Sequence, residues 1–189
     1  MKYRILFFLV ILVSAHTAKC QSTTGNIVID ELLGAYSPRN FSSLPVTDEQ
    51  LEIILKCGIK APSARNLQPW KFTVVRNVQT MKELIDNALP GNVLIIISGR
   101  EADNGKTPDF DCGLATQNMF IAATSLGLGA RIYGSPVGLA NEMKQRLEIP
   151  EGYKAVIILR VGHIEKDIDA VSSATSRNPI DDMVNYLNK

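Results

Sequence analysis

The segment APSARNLQPW (residues 61–70) lies between an apolar helical stretch and an apolar strand, and it decides how the rest of the chain is interpreted. It is a polar turn, braced by Pro62 and Pro69, that displays the two amides of Asn66 and Gln68. An amide offers a hydrogen-bond donor and an acceptor together, as recognition of the edge of a heterocycle requires. The same residues also suit an ordinary loop packed above Trp70, so the segment alone leaves both interpretations open.

Helical and strand patterns flank this segment on both sides. Thr47-Asp48-Glu49-Gln50 has the capping-box pattern, in which a threonine begins a helix and a glutamine follows three residues later. An apolar stripe then follows at helical spacing. The patterns predict helices over residues 26–36, from Thr47 onward, over 78–89, 111–126 and 139–147, and after Pro179, with strands over 71–76, 93–98 and 155–161.

Two apolar stretches indicate where the core lies. VLIIIS (residues 93–98) is continuously apolar and of strand length, which is typical of a strand buried on both faces. Residues 111–126 are apolar nearly all round a helix and end at Gly127, which is suited to a left-handed C-cap. The small residues of this helix would let a second helix approach closely, as in a dimer core. Helices alternating with three or four strands predict an α+β fold.

Composition and charge exclude several classes of protein. The chain has 189 residues, of which 46% are hydrophobic and 21% charged, as in one soluble domain. Three of its 20 basic residues lie among the first twenty positions, so the remainder is slightly acidic. Neither nucleic acid nor an anionic membrane surface is therefore expected as a partner. His163 is the one histidine after residue 20, which gives poor support to a Ser-His-Asp or zinc hydrolase.

Residues 1–20 have the pattern of a secretory signal peptide, which leaves residues 21–189 as one domain. Lys2 and Arg4 precede an apolar run at residues 5–13, which is far shorter than the roughly 20 residues that span a bilayer. We expect cleavage after Ala18 or Cys20, export to the periplasm and no integral membrane span. Lipidation of Cys20 and a buried N-terminal element are the alternatives.

Several segments together resemble the nitroreductase family. Residues 61–70 fit its signature loop, APSxxNxQPW, at every specified position. Residues 37–41 (SPRNF) resemble the end of its N-terminal phosphate motif, Arg-x-Ser-x-Arg-x-Phe. Further likenesses, in chain order, are residues 111–119 to the long central helix, 127–134 to a strand and turn over the flavin, and 176–179 to a C-terminal segment with a phosphate-binding arginine.

This resemblance implies a fold, a cofactor and a type of reaction. The fold would be nitroreductase-like, with a central, mostly antiparallel sheet flanked by helices in an intertwined homodimer. FMN would be bound non-covalently between the subunits, and electrons would move in pairs by a ping-pong mechanism. The donor would be NAD(P)H, and the acceptor a small molecule such as a quinone, a nitroaromatic compound or another acceptor.

The resemblance also implies which residues bind the cofactor. Ser37 and Arg39 would hold the phosphate from the N-terminal side, and Arg177 would hold it from the C-terminal side. Arginine suits this role because its planar fork forms paired bonds to phosphate oxygens. No acid–base side chain and no metal is implied.

The ring of the cofactor would be met by two other segments. Asn66 would address the isoalloxazine edge, and Gln68 would shape the same wall. The remaining contacts would come from backbone amides beside the ring, at Tyr133, Gly134 and Ser135. For each of these residues an ordinary structural role is the alternative, and for Tyr133 it is a place in the core.

The sequence departs from the family pattern at the phosphate site. Ala35 stands where the motif has its first arginine, and Thr175 stands where a lysine is common. Only about twelve residues separate the VLIIIS strand from the central helix, which implies a reduced lid. Export would also put the protein where nicotinamide donors are scarce.

Three functions are compatible with these features. The first is an FMN-dependent oxidoreductase of nitroreductase type. The second is specialised flavin chemistry within the family, and the third is a non-catalytic binding protein that has lost tight flavin binding. A dinucleotide fold is not among them, because Gly127-x-Gly129 follows a helix and Ile132 stands in place of the third glycine.

Overall fold

The computed structural model describes residues 24–187 except 103, 105, 106 and 170–175. The signal peptide expected at residues 1–20 and the departure at Thr175 lie outside these residues. In chain order the elements are α1 (Ile27–Gly34), α2 (Asp48–Ile59), a 3-10 turn (Ala64–Asn66), β1 (Trp70–Val75), α3 (Val78–Leu84), β2 (Val93–Arg100), α4 (Asp109–Ser125), β3 (Gly129–Tyr133), α5 (Val137–Glu142), β4 (Tyr153–Gly162) and α6 (Ile180–Met183).

The four strands form one antiparallel sheet in the order β1-β2-β4-β3, which confirms the predicted α+β class. Ile96 pairs with Ile158 near the centre, and the register shifts between Ile97 and Ser98. The strands β1 and β3 are the two edges of this sheet.

β2 is buried on both faces, as its continuous apolar sequence predicts. Ile95 and Ile97 pack toward α2 and α4, whereas Leu94 and Ile96 pack toward α3 and α5. Alternation along the strand therefore divides the core into two layers, one on each face of the sheet.

α2 and α4 lie against each other on the first face. α2 begins with the predicted capping box, in which Thr47 Oγ1 accepts from the Gln50 backbone and Gln50 Oε1 accepts from the Thr47 backbone. Gly58 lets the helices approach, because a Cβ there would lie 2.6 Å from Cγ of Met119. Asn118 Nδ2 also donates to the Cys57 carbonyl at 3.2 Å.

The end of α4 confirms the predicted left-handed cap. Gly127 has φ +75°, its N–H donates to Thr124 and the next N–H donates to Ala123. These two bonds form a Schellman motif, which satisfies carbonyls at the end of the helix.

Two predicted helices are shorter than expected. α3 ends at Leu84 because Ile85 has an extended backbone, although Ile85 and Ala88 remain buried. α5 ends at Glu142, and the chain reaches the buried Leu147 through turns. An apolar periodicity indicates which residues are buried, and it does not indicate where a helix ends. In both places buried residues continue beyond the last helical hydrogen bond. Within the described residues, no helix has both the length and the apolar character needed to cross a bilayer.

Candidate functional site

The loop at residues 36–41 is held by one buried carboxylate, that of Asp169. Its Oδ1 accepts from the backbone N–H groups of Arg39 at 2.7 Å and Asn40 at 2.9 Å. Its Oδ2 accepts from the Tyr36 hydroxyl at 2.9 Å. Asp169 lies near the C-terminal end of the chain, and its carboxylate therefore ties that part of the chain to the loop at residues 36–41.

These bonds change the acidity of both partners. Burial acts to raise the pKa of Asp169, but the hydrogen bonds from Arg39, Asn40 and Tyr36 outweigh it, so this pKa lies below its usual value. Burial, the hydrogen bond to Asp169 and its charge together raise the pKa of Tyr36 to about 12. Asp169 is thus ionised and Tyr36 protonated at neutral pH.

The end of the same loop is fixed by a second buried charge, that of Arg160. Its guanidinium lies 4.2 Å from the centre of the Phe41 ring and binds Asn87 and Asn92 at 2.6–3.0 Å. Burial lowers the pKa of Arg160, while a hydrogen bond to Tyr133 acts in the opposite direction. Cation–π contact with Phe41 adds a favourable interaction that needs no water.

A cavity of about 230 Å³ beside this loop brings two predicted phosphate ligands together. Ser37 and Arg177 both line it, together with Ala35. The other lining residues are Leu32, Tyr36, Gln117, Phe120, Ile121 and Ile132. The third predicted ligand, Arg39, is not among the lining residues; its side chain is exposed and its backbone N–H is bound by Asp169.

Gln117 is a lining residue that the sequence analysis did not select. It is an exposed polar residue on a helix that is otherwise mostly apolar, and that contrast could have identified it. Arg131 does not line the cavity, although Nη1 lies 3.5 Å from the Pro38 carbonyl. Since Ile132 faces the cavity, alternation turns Arg131 to the other face of β3, where its guanidinium lies 5.3 Å from the Tyr133 ring centre.

Asn66 and Gln68 lie in a separate, exposed loop before β1. Arg65, Asn66 and Gln68 have φ values of 53°, 55° and 46°. This left-handed backbone is unusual for residues other than glycine. Two side chains help to hold this backbone: Gln68 N donates to Ser63 Oγ at 2.9 Å, and Ala64 N donates to Asp111 Oδ1 at 3.3 Å. Two backbone bonds within the turn add to them. Strain of this kind persists where surrounding bonds enforce it, and it concentrates at functional loops.

A cavity of about 420 Å³ lies under this loop, between α2 and β1. Gln68 lines it, and so do Trp70 and Phe72, whose rings stack with centres 6.4 Å apart. This cavity adjoins the β1 edge of the sheet, whereas Ser37 and Arg177 lie at the β3 edge. With four strands the two edges are about 14 Å apart. One chain therefore presents Asn66 and Gln68 apart from the predicted phosphate residues, whereas the predicted ring residues 133–135 lie at the end of β3.

The predicted turn at residues 133–135 follows β3. Tyr133 is half-buried and packs against the second core layer, whereas Gly134 and Ser135 are exposed. The side chain of Tyr133 thus has a structural role, and the backbone of the turn is accessible.

A third cavity, of about 660 Å³, contains none of the predicted cofactor residues. It lies between α1 and the end of α4 and shares Ala35 and Tyr36 with the smaller cavity. We assign the candidate site to the cavity of about 230 Å³, because it combines the Ser37 hydroxyl with the Arg177 guanidinium. Within the part of the chain that the structure describes, no cluster of side chains is suited to a metal ion.

Comparisons with known proteins show which sequences and structures the chain is similar to. The sequence profile of the Nitroreductase family matches residues 32–93 and 86–163. A protein of Archaeoglobus fulgidus, described as a candidate NADH dehydrogenase/NAD(P)H nitroreductase, is 30% identical over 155 residues, which cover 76% of this chain and 88% of that protein. The NADPH-flavin oxidoreductase of Vibrio harveyi is 27% identical over 162 residues, which cover 75% of this chain and 68% of that protein. A nitroreductase structure with bound FMN from Desulfitobacterium hafniense DCB-2 has a TM-score of 0.71 and 25% identity, covering 86% of this chain and 99% of that one.

Replacement of Asp169 tests whether its carboxylate holds the loop. We expect Asp169→Ala to lower the free energy of unfolding by about 2–4 kcal/mol at pH 7, because four donors, two from the backbone and two from side chains, lose a charged acceptor. Tyr36→Phe removes one of the same bonds, and we expect it to cost about 1 kcal/mol. Urea denaturation would measure both values. Equal stability of wild type and Asp169→Ala would contradict the role given to the carboxylate.

The same variants should show a defined pH dependence. The pKa of Asp169 is lowered in the folded protein. Its contribution to the free energy of unfolding is therefore fully present above the pKa of the unfolded chain, about 3.9, and is lost as pH falls through the pKa of the folded protein. The stability difference between wild type and Asp169→Ala should therefore shrink below about pH 4.

Proposed function

The chain belongs to the nitroreductase family, and on that premise we propose that it is an oxidoreductase that binds FMN non-covalently and transfers electrons in pairs. Its relatives include an NADPH-flavin oxidoreductase and a nitroreductase with bound FMN. The single observation that carries the proposal is the cavity where Ser37 and Arg177 meet. FMN, when bound, supplies the redox chemistry, and the protein supplies binding and orientation.

The donors at this cavity fit a phosphate group. A guanidinium forms paired, charge-assisted bonds to phosphate oxygens, and a serine hydroxyl donates one more. Asp169 already engages the N–H groups of Arg39 and Asn40, so the loop offers side chains for phosphate recognition. Ala35 adds no charge at the position where the family motif has an arginine.

We further propose that the complete site forms between two copies of the chain. Asn66, the proposed ring-binding residue, and its neighbour Gln68 lie at the β1 edge, and the phosphate residues lie at the β3 edge, so one site would take each group from a different subunit. Exposed apolar side chains support such a homodimer: those of α1 and the C-terminal segment include Ile27, Leu33, Ile180, Met183 and Leu187. Their burial against a second copy would provide the association energy.

For the donor and the acceptor, we propose NAD(P)H and a small quinone or nitroaromatic compound. The names of the relatives support a nicotinamide donor. The exposed backbone at Gly134 and Ser135 would place N–H donors near the ring, where they stabilise reduced flavin.

A second function is favoured by the sparse charge of the phosphate cavity. Among its described lining residues, Arg177 is the sole cation. A family member that has lost tight flavin binding and serves as an exported, non-catalytic binding protein would show this feature.

Flavin binding separates the two functions. We expect the purified protein to bind FMN and show flavin absorbance, to be reduced by NADH or NADPH without oxygen, and to be reoxidised by a quinone. Arg177→Ala should weaken FMN binding by about ten- to a hundredfold, because a charged hydrogen bond contributes about 1.5–3 kcal/mol. Arg146→Ala is the control, since Arg146 pairs with Glu83 away from the cavity. Failure to take up FMN at micromolar concentration would favour the non-catalytic alternative.

Mixed dimers test the shared site. Asn66→Ala and Arg177→Ala homodimers should each bind FMN weakly, since every site carries one altered residue. After subunit exchange, each heterodimer would have one intact site and one doubly altered site. We expect tight FMN binding to reappear on mixing, measured by flavin fluorescence quenching. Unchanged weak binding, with exchange verified by mass spectrometry, would contradict the proposal.

We also propose export to the periplasm, on the basis of the signal pattern at residues 1–20. Expressed in a bacterium, the protein should appear in the periplasmic fraction, with the mass expected after cleavage behind Ala18 or Cys20. A lipid-modified Cys20 would instead add mass and place the protein in the membrane fraction. A full-length chain in the cytoplasm would overturn the proposal.

A further inference from the structure

The amides of Asn66 and Gln68 contact each other, and their geometry decides which way each one faces. Gln68 Nε2 lies 3.4 Å from the backbone carbonyl of Asn66 and 3.3 Å from Asn66 Oδ1. A backbone carbonyl only accepts, so the Gln68 atom that faces it must be the NH2 nitrogen. That nitrogen also faces the Asn66 side chain, which must then present its oxygen.

This arrangement leaves the Asn66 NH2 group for a ligand. Asn66 is exposed, and within the described residues its Nδ2 donates no hydrogen bond to the protein. The left-handed backbone at Asn66 and Gln68, held by the Ser63 and Asp111 bonds, keeps the two amides in contact. The loop therefore displays a donor of fixed direction.

We propose that Gln68 is a positioning residue that orients Asn66 as a hydrogen-bond donor toward the ligand. If the proposed function holds, on which this inference rests, Asn66 recognises a carbonyl oxygen of the flavin pyrimidine ring and does not recognise its N3–H. Gln68 acts through Asn66 and makes no ligand contact of its own. A donor at a ring carbonyl stabilises negative charge there, so the pair would also raise the midpoint potential of bound FMN.

Gln68→Glu reverses the polarity of the contact with little change in shape. The introduced carboxylate would repel both Asn66 oxygens, so the Asn66 amide would rotate, donate to that carboxylate and turn its own oxygen toward the ligand. We expect FMN binding to weaken about tenfold, which corresponds to about 1.4 kcal/mol, and the midpoint potential to become more negative. Gln68→Met removes the donor without adding charge, and it should produce a smaller loss in the same direction.

A double-mutant cycle distinguishes orientation of Asn66 from a direct effect of charge. FMN dissociation constants and midpoint potentials would be measured for wild type, Gln68→Glu, Asn66→Ala and the double variant. If Gln68 acts through Asn66, Gln68→Glu should change FMN affinity less than about twofold in the Asn66→Ala background. An equal effect of Gln68→Glu in both backgrounds would overturn the inference.

Arg177→Ala separates failure of this inference from failure of the proposed function. If wild type binds FMN, Arg177→Ala weakens it and Gln68→Glu does not, the inference fails while the proposed function stands. If wild type takes up no FMN, both fail. Thermal unfolding of each variant would verify that the exposed loop substitutions leave the fold intact.

Discussion

The fold depends on one constraint, the exclusion of β2 from water on both faces. Its alternating side chains pack under α2 and α4 on one side and under α3 and α5 on the other. β2 lies inside the sheet beside β4, and β1 and β3 are the edges. The loop carrying Asn66 therefore leads into one edge, and the cavity with Ser37 and Arg177 adjoins the other. The two inner strands, β2 and β4, therefore separate Asn66 from the cavity with Ser37 and Arg177 in one chain.

Local patterns in the sequence were sufficient for most of the fold, because each has a short-range physical cause. The capping box at Thr47 and the glycine cap at Gly127 involve bonds between residues no more than five positions apart. The ends of α3 and α5 were not predictable in this way. Leu147 is buried whether its backbone is helical or turned, so the apolar pattern contains no signal for the end of the helix.

The candidate site was predictable only where single residues carry the chemistry. Ser37 and Arg177 do lie at one cavity, whereas the Arg39 side chain does not. Asp169 was missed because its partners lie about 130 positions away, and two of the four are backbone N–H groups, which carry no signal in the residue type. Arg160 is a charged residue within an otherwise apolar part of β4, and this contrast is apparent in the sequence. Its partners, Phe41, Asn87 and Asn92, come together only through the sheet register and the turn before β2.

Cofactor binding and subunit association would be linked in the proposed dimer. The cavity with Ser37 and Arg177 has one described cation, and Asp169 engages loop N–H groups that could otherwise bind an anion, so this half of the proposed site would offer few charged contacts. The other half, at Asn66, would come from the second subunit. A ligand that binds only the assembled dimer stabilises that dimer by mass action. The loss of the cation at position 35 would therefore make occupancy depend on dimer concentration more strongly than it would at a fully charged site.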